Sequence, residues 1–169
     1  MGKASLWAIP KDHFGTMVDA STGRRSLPDY ATQVLLPVCG GGAAFWAGAV
    51  LKDSSGAVAG VSIVAGLLFS MAVFLFQLRL SLPDDKRLEQ QDIELVDQCM
   101  KNVLWAILWG MTLALYLVVC GAGGWLAAGI SGRVLTGIAI GAGAHFLLVI
   151  AMCLKRLRRA YERLAKRRP

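Results

Sequence analysis

Four stretches of this chain carry almost no charge: 31–51, 57–78, 103–124 and 134–154. Charged or turn-forming segments separate them. Wound as helices at about 1.5 Å per residue, each stretch reaches about 31 to 33 Å, the thickness of a bilayer's hydrocarbon core. The pattern predicts an all-α fold, an integral membrane four-helix bundle with short cytoplasmic helical extensions. Three segments frame it: an N-terminal segment 1–30, a helical loop 79–102 and a tail helix 155–169. All three are too short for a separate soluble domain, which usually starts near 50 residues. Function is therefore expected in the bundle, on its short cytoplasmic face, or in what it assembles with.

Composition agrees with the pattern. Of 169 residues, 56% are apolar and 17% are charged, whereas an ordinary globular domain carries about 25% charge. Basic residues are costly to translocate and collect on the cytoplasmic side of short loops. All of the 18 lysines and arginines except Lys52 and Arg133 fall in segments that lie on one side of a four-span topology. Both termini are therefore expected in the cytoplasm. Trp46 and Trp125 near the outer ends and Trp105 near an inner end suit the interfacial preference of amphipathic rings. The N-terminal segment lacks the apolar core and cleavage site of a secretory peptide, and position 6 is Leu6 where myristoylation requires Ser or Thr.

Helices in lipid associate through small residues and interhelical hydrogen bonds, because lipid tails are as apolar as leucine. Two stripes recur every four residues: Ser62, Gly66 and Ser70 in the second span, and Gly137, Gly141 and His145 in the fourth. In the first span Pro37 precedes Gly40, Gly41 and Gly42. A proline has no N–H, so Pro37 frees the carbonyl of Gln33 from its helical bond, and a kink or hinge is expected there. These stripes serve either simple packing or a moving, pore-lining role. His145, counted near mid-membrane, is the one ionisable side chain deep in a span. It is either a protonatable group facing a cavity or a neutral imidazole bonded to a facing hydroxyl or carbonyl. Gln33 and Gln77 lie near the cytoplasmic interface, and Thr112 is placed to hydrogen-bond inside the bundle. The spans contain no Asp, Glu, Lys or Arg, which disfavours a proton-coupled exporter of the small multidrug type.

On the cytoplasmic side, Pro83, Asp84 and Asp85 interrupt the second helix and favour a new start. Ile93, Val96, Met100, Val103 and Ile107 then form one apolar stripe running into the third span. Leu154, Leu157, Tyr161 and Leu164 continue the fourth span into the tail. Glu89, Asp92, Glu94 and Asp97 make the loop helix acidic, while Arg156, Arg158, Arg159 and Arg163 make the tail basic. The two are expected to pair with each other, with anionic lipid headgroups, or with a cytoplasmic protein partner. No aromatics interleave with the basic residues, so nucleic acid is not an expected partner.

Cys39, Cys99, Cys120 and Cys153 show no redox or zinc spacing and none lies in an outer loop. They read as small apolar fillers, and neither a metal nor a cofactor is expected. Asp12, His13 and Asp19 form the only polar cluster near the inner interface and lack a third partner for catalysis. The chain is not expected to be an enzyme.

Asp19, Gly23, Arg25, Asp29 and Tyr30 precede the proline-bearing first span, an acidic loop follows the second, and His145 with Lys155 and Arg156 closes the fourth. In these features the chain resembles a broad group of bacterial four-span inner-membrane proteins, some linked to phage-defence operons. The resemblance implies a bacterial inner-membrane location and a function as a pore-forming or membrane-perturbing effector, assembled as a homo-oligomer. It assigns no role to any single residue. An accessory or scaffold subunit, docking a partner through the acidic loop helix and basic tail, is the alternative.

Overall fold

A computed structural model of the chain describes residue 9 and residues 27–81, 90–127 and 129–166. Within them run four helices and no strand: α1 Leu27–Trp46, α2 Ser55–Ser81, α3 Gln90–Ala122 and α4 Gly129–Lys166. Three contain stretches long and apolar enough to cross a membrane, Ser55–Leu80, Val96–Ala122 and Gly129–Lys155. The protein is thus an all-helical membrane protein by the length and composition of its elements. α1 is shorter, with 20 residues, and Gln33, Pro37 and three glycines dilute its apolar character.

Two helix ends depart from the hydropathy boundaries for the same backbone reason. α1 stops at Trp46 although apolar sequence continues to Leu51. Gly48 adopts the left-handed conformation, with φ at 70°. Its N–H then bonds to the Phe45 carbonyl at 3.0 Å, and that of Ala49 to the Ala44 carbonyl at 2.9 Å, the paired bonds of a Schellman cap. Gly124, with φ at 67°, closes α3 through the same pair: Gly124 N–H to Gly121 and Trp125 N–H to Cys120, both at 3.0 Å. A side chain at either glycine would be strained in that conformation. At the other end of the first connection, the Asp53 carboxylate accepts the Ser55 N–H at 2.8 Å. The hydrogen bonds from the Ser55 backbone and side chain hold the Asp53 carboxyl below its usual value.

Packing follows the order α1, α4, α3, α2, because the substantial contacts join α1 to α4, α4 to α3, and α3 to α2. α3 supplies the middle of this row. Among its buried positions, Cys99, Val103, Ala106, Gly110, Leu113, Leu117 and Cys120 follow one another in alternating steps of four and three, the repeat that keeps one seam facing its neighbours, with Asn102 and Trp105 buried beside them. Leu68, Ala72 and Leu75 of α2 and Ala139, Phe146, Val149 and Cys153 of α4 complete the core. Gly110 lies where three helices converge: a Cβ there would stand 2.9 Å from the Phe146 ring and 3.4 Å from Ala65.

α2 lies at the edge of the row. Only 17% of its most apolar stretch is buried, against 39% for α3, and Ile63, Leu67, Phe69, Phe74 and Phe76 are exposed. So large an apolar surface is out of place in water and compatible with hydrocarbon. α3 and α4 have 33 and 38 residues, roughly 50 and 57 Å, more than the ~30 Å core requires. Their extra turns lie at the same end, since Trp109 bonds to Ala142 and Tyr116 to Leu135, an antiparallel register that sets the start of α3 beside the late part of α4.

Candidate functional site

The closest approach between helices is that of α1 to α4. A Cβ on Gly41 would fall 2.6 Å from the Gly137 carbonyl oxygen, one on Gly137 2.8 Å from the Gly41 oxygen, and one on Gly141 2.9 Å from the Pro37 oxygen. Each distance is too short for a real side chain to meet backbone. The two helices therefore touch main chain to main chain, and this contact fixes an antiparallel register. Gly41 opposes Gly137, Pro37 opposes Gly141, and Gln33 opposes His145.

That register brings two features of the sequence together. Pro37 leaves the Gln33 carbonyl without its helical donor, since the missing N–H is four residues further on. His145 Nδ1 lies 3.2 Å from that same oxygen. A carbonyl only accepts, so Nδ1 carries the proton and donates it. The imidazole thus replaces the N–H that proline removed. Gln33 is buried at 3% exposure, so its carbonyl lies where an unmet acceptor is costly. The Pro37 position does not interrupt α1.

Its partner Gln33 lies six residues into α1, about 9 Å from that helix's start and about 5 Å from its midpoint. The register set by the glycines decides which residue of α1 His145 meets, and hydropathy does not report it.

Two tryptophans of α3 enclose the imidazole. The ring centroids of Trp109 and His145 are 4.9 Å apart at 69°, and those of Trp105 and His145 are 6.4 Å apart at 82°. Both are edge-to-face arrangements, which the quadrupoles of aromatic rings favour. The tryptophans stand 5.6 Å from each other. Trp109 is held in place by its indole N–H, which donates to the Ala142 carbonyl at 3.0 Å. Two turns of α3 further on, the Tyr116 hydroxyl donates to the Leu135 carbonyl at 2.9 Å, and Thr136 accepts the Leu51 N–H at 3.0 Å. Side chains of α3 thus anchor to main chain of α4.

Because α1 and α4 meet through glycine, they leave a groove between themselves and the α3 tryptophans. It encloses about 840 Å³, within the range of sites that hold small molecules. Phe45, Val38, Ile138, Trp105 and Trp109 give it apolar walls, and His145 with Gln33 marks its polar end. The sequence pattern pointed to His145 and to the orphaned carbonyl separately. Trp105 reads in the sequence only as an interfacial anchor, because nothing local indicates that it and Trp109 face His145.

The other predicted residues are placed differently. Ser62, Gly66 and Ser70 are exposed. Nothing lies within 4 Å of a Cβ on Gly66, and Ser70 bonds back to the Gly66 carbonyl of its own helix at 3.3 Å. Thr112 likewise bonds to Leu108 of its own helix at 2.9 Å, and Gln77 is exposed. Asp97 pairs with Arg79 of α2 at 2.8 Å, whereas the tail had been its expected partner. Arg158 is exposed. The side chains of Asp92, Glu94, Arg156, Arg159 and Arg163, and the whole of Glu89, Asp12, His13, Asp19 and the Pro83 turn, lie outside the described residues. Three cysteines are buried and Cys39 is exposed. Among the described residues no cluster of His, Cys, Asp or Glu has a metal-binding arrangement.

Compared with known protein families, characterised proteins and solved structures, the chain matches none.

Proposed function

We propose that this chain is a small integral protein of the bacterial inner membrane that assembles with copies of itself and permeabilises or perturbs the bilayer, with a place in antiphage defence. In this reading α1 is the fourth crossing, both termini are cytoplasmic, and the projecting ends of α3 and α4 receive the trigger. The observation that carries it is the open packing order. With α1 and α2 at opposite ends of a row, each protomer keeps one small-residue face on α2 that none of the described residues covers. Contacts of that kind are what associate helices in lipid, and repetition from copy to copy gives a ring.

The test is native mass and ion flux on one purified sample in anionic liposomes. A defined oligomer that conducts is expected. Gly66→Leu should abolish both the oligomer and the flux while leaving the protomer folded, because among the described residues nothing lies within 4 Å of a Cβ placed there. A silent monomer, or a Gly66→Leu variant that assembles and conducts normally, overturns the proposal. The second reading, an accessory subunit docking a cytoplasmic partner, draws on the projecting ends of α3 and α4. It predicts no flux and a stoichiometric partner on pull-down.

A further inference from the structure

The groove between α1, α3 and α4 has one polar feature whose chemistry is determined. His145 uses Nδ1–H to bond the Gln33 carbonyl, so in the neutral ring Nε2 is left as a lone-pair acceptor. His145 lines the groove, and among the described residues no donor is bonded to Nε2. On the facing wall the Trp109 indole N–H is already committed to Ala142. The site therefore presents an acceptor to whatever fills it. A lipid acyl chain supplies no donor and would leave that nitrogen unmet in hydrocarbon, which is unfavourable.

We propose that this groove binds a membrane-dissolved aromatic alcohol, of the phenol or quinol class, whose hydroxyl donates to His145 Nε2 while its ring packs on Trp105 and Trp109 and its alkyl chain lies along the glycine-lined wall. Three observations select this class. The acceptor is met by a hydroxyl donor, the paired tryptophans 5.6 Å apart offer ring faces and edges to a flat group, and the open groove of about 840 Å³ accommodates a ring with a long chain. Pro37 has a direct part in this specificity: by orphaning the Gln33 carbonyl it locks the imidazole tautomer and makes Nε2 the acceptor. The proposal rests on the chain being a membrane protein and is independent of whether it conducts.

The experiment compares a long-chain alkylphenol with its methyl ether, which has the same shape and no donor, for binding to the full-length protein in nanodiscs. The phenol is expected to bind roughly tenfold more tightly, the factor for one well-made hydrogen bond. It should also shift the Nε2 signal of His145 in nitrogen NMR, while the ether should not. In His145→Phe the two ligands should bind equally. In Pro37→Ala, where the residue 37 N–H again serves the Gln33 carbonyl, the tautomer is released and the preference should fall several-fold with the groove retained. Equal binding of phenol and ether to the natural protein, binding of neither, or a preference that survives both substitutions overturns the proposal. Equal binding would identify the occupant as a lipid chain. Flux measured on the same nanodisc-competent protein after transfer to liposomes separates this result from the pore reading.

Discussion

The two outer helices of the row are held in opposite ways. α2 packs on α3 through side chains: Leu68, Ala72 and Leu75 meet a seam of alternating four- and three-residue spacing. α1 packs on α4 through main chain, with Gly41, Gly137 and Gly141 so close that no Cβ fits. The first interface is clasped at one end by Arg79 and Asp97. The second opens into a groove and contains the bond from His145 to Gln33. In a solvent as apolar as the protein interior, burial alone holds neither helix. Interdigitation can adjust to a changed side chain, whereas backbone contact cannot.

The largest effect should come from breaking the main-chain contact. Gly41→Leu is expected to destabilise the protein by about 3 kcal/mol, the upper part of the range for overpacking, because the new side chain meets a carbonyl rather than a movable ring. Leu75→Ala at the other interface should cost about 2 kcal/mol, near the bottom of the range for leucine truncation, since lipid offers its tail similar contacts. Reversible unfolding in mixed micelles measures both. If the glycine variant proves the milder, the two interfaces do not differ as argued.

A smaller effect isolates the polar bond. His145→Phe should cost about 1 kcal/mol by orphaning the Gln33 carbonyl. In a Pro37→Ala background most of that cost should vanish, because the helix then supplies its own donor. A double-mutant cycle that comes out additive would sink the assignment. Smallest of all, Arg79→Ala should change stability by about 0 to 1 kcal/mol, since both partners are partly exposed. The difference from the natural protein should shrink as salt is raised.

Much of the α1 to α4 site was legible in pieces. Proline chemistry alone identifies the Gln33 carbonyl as the unmet acceptor, and the absence of other ionisable groups in the spans singles out His145. The four-residue glycine spacing marks a close-approach surface. The same spacing marks Ser62, Gly66 and Ser70, which are exposed and which no other described helix approaches through Gly66. Spacing reports that a helix face is able to be approached, and it carries no information about which neighbour arrives. The helix ends show a related limit: Gly48 and Gly124 end α1 and α3 by a backbone conformation, while hydropathy runs on past Gly48.

By itself, then, the sequence determined the number of helices, their apolar character and the orphaned carbonyl, because each depends on residues within a turn or two of one another. Tertiary structure alone decided the order α1, α4, α3, α2, the residue of α1 that His145 meets, and its enclosure by Trp105 and Trp109. The bond from His145 to Gln33 spans 112 positions. No local rule reaches that far: it exists because glycines let two backbones touch, and that contact sets the register that brings donor and acceptor together.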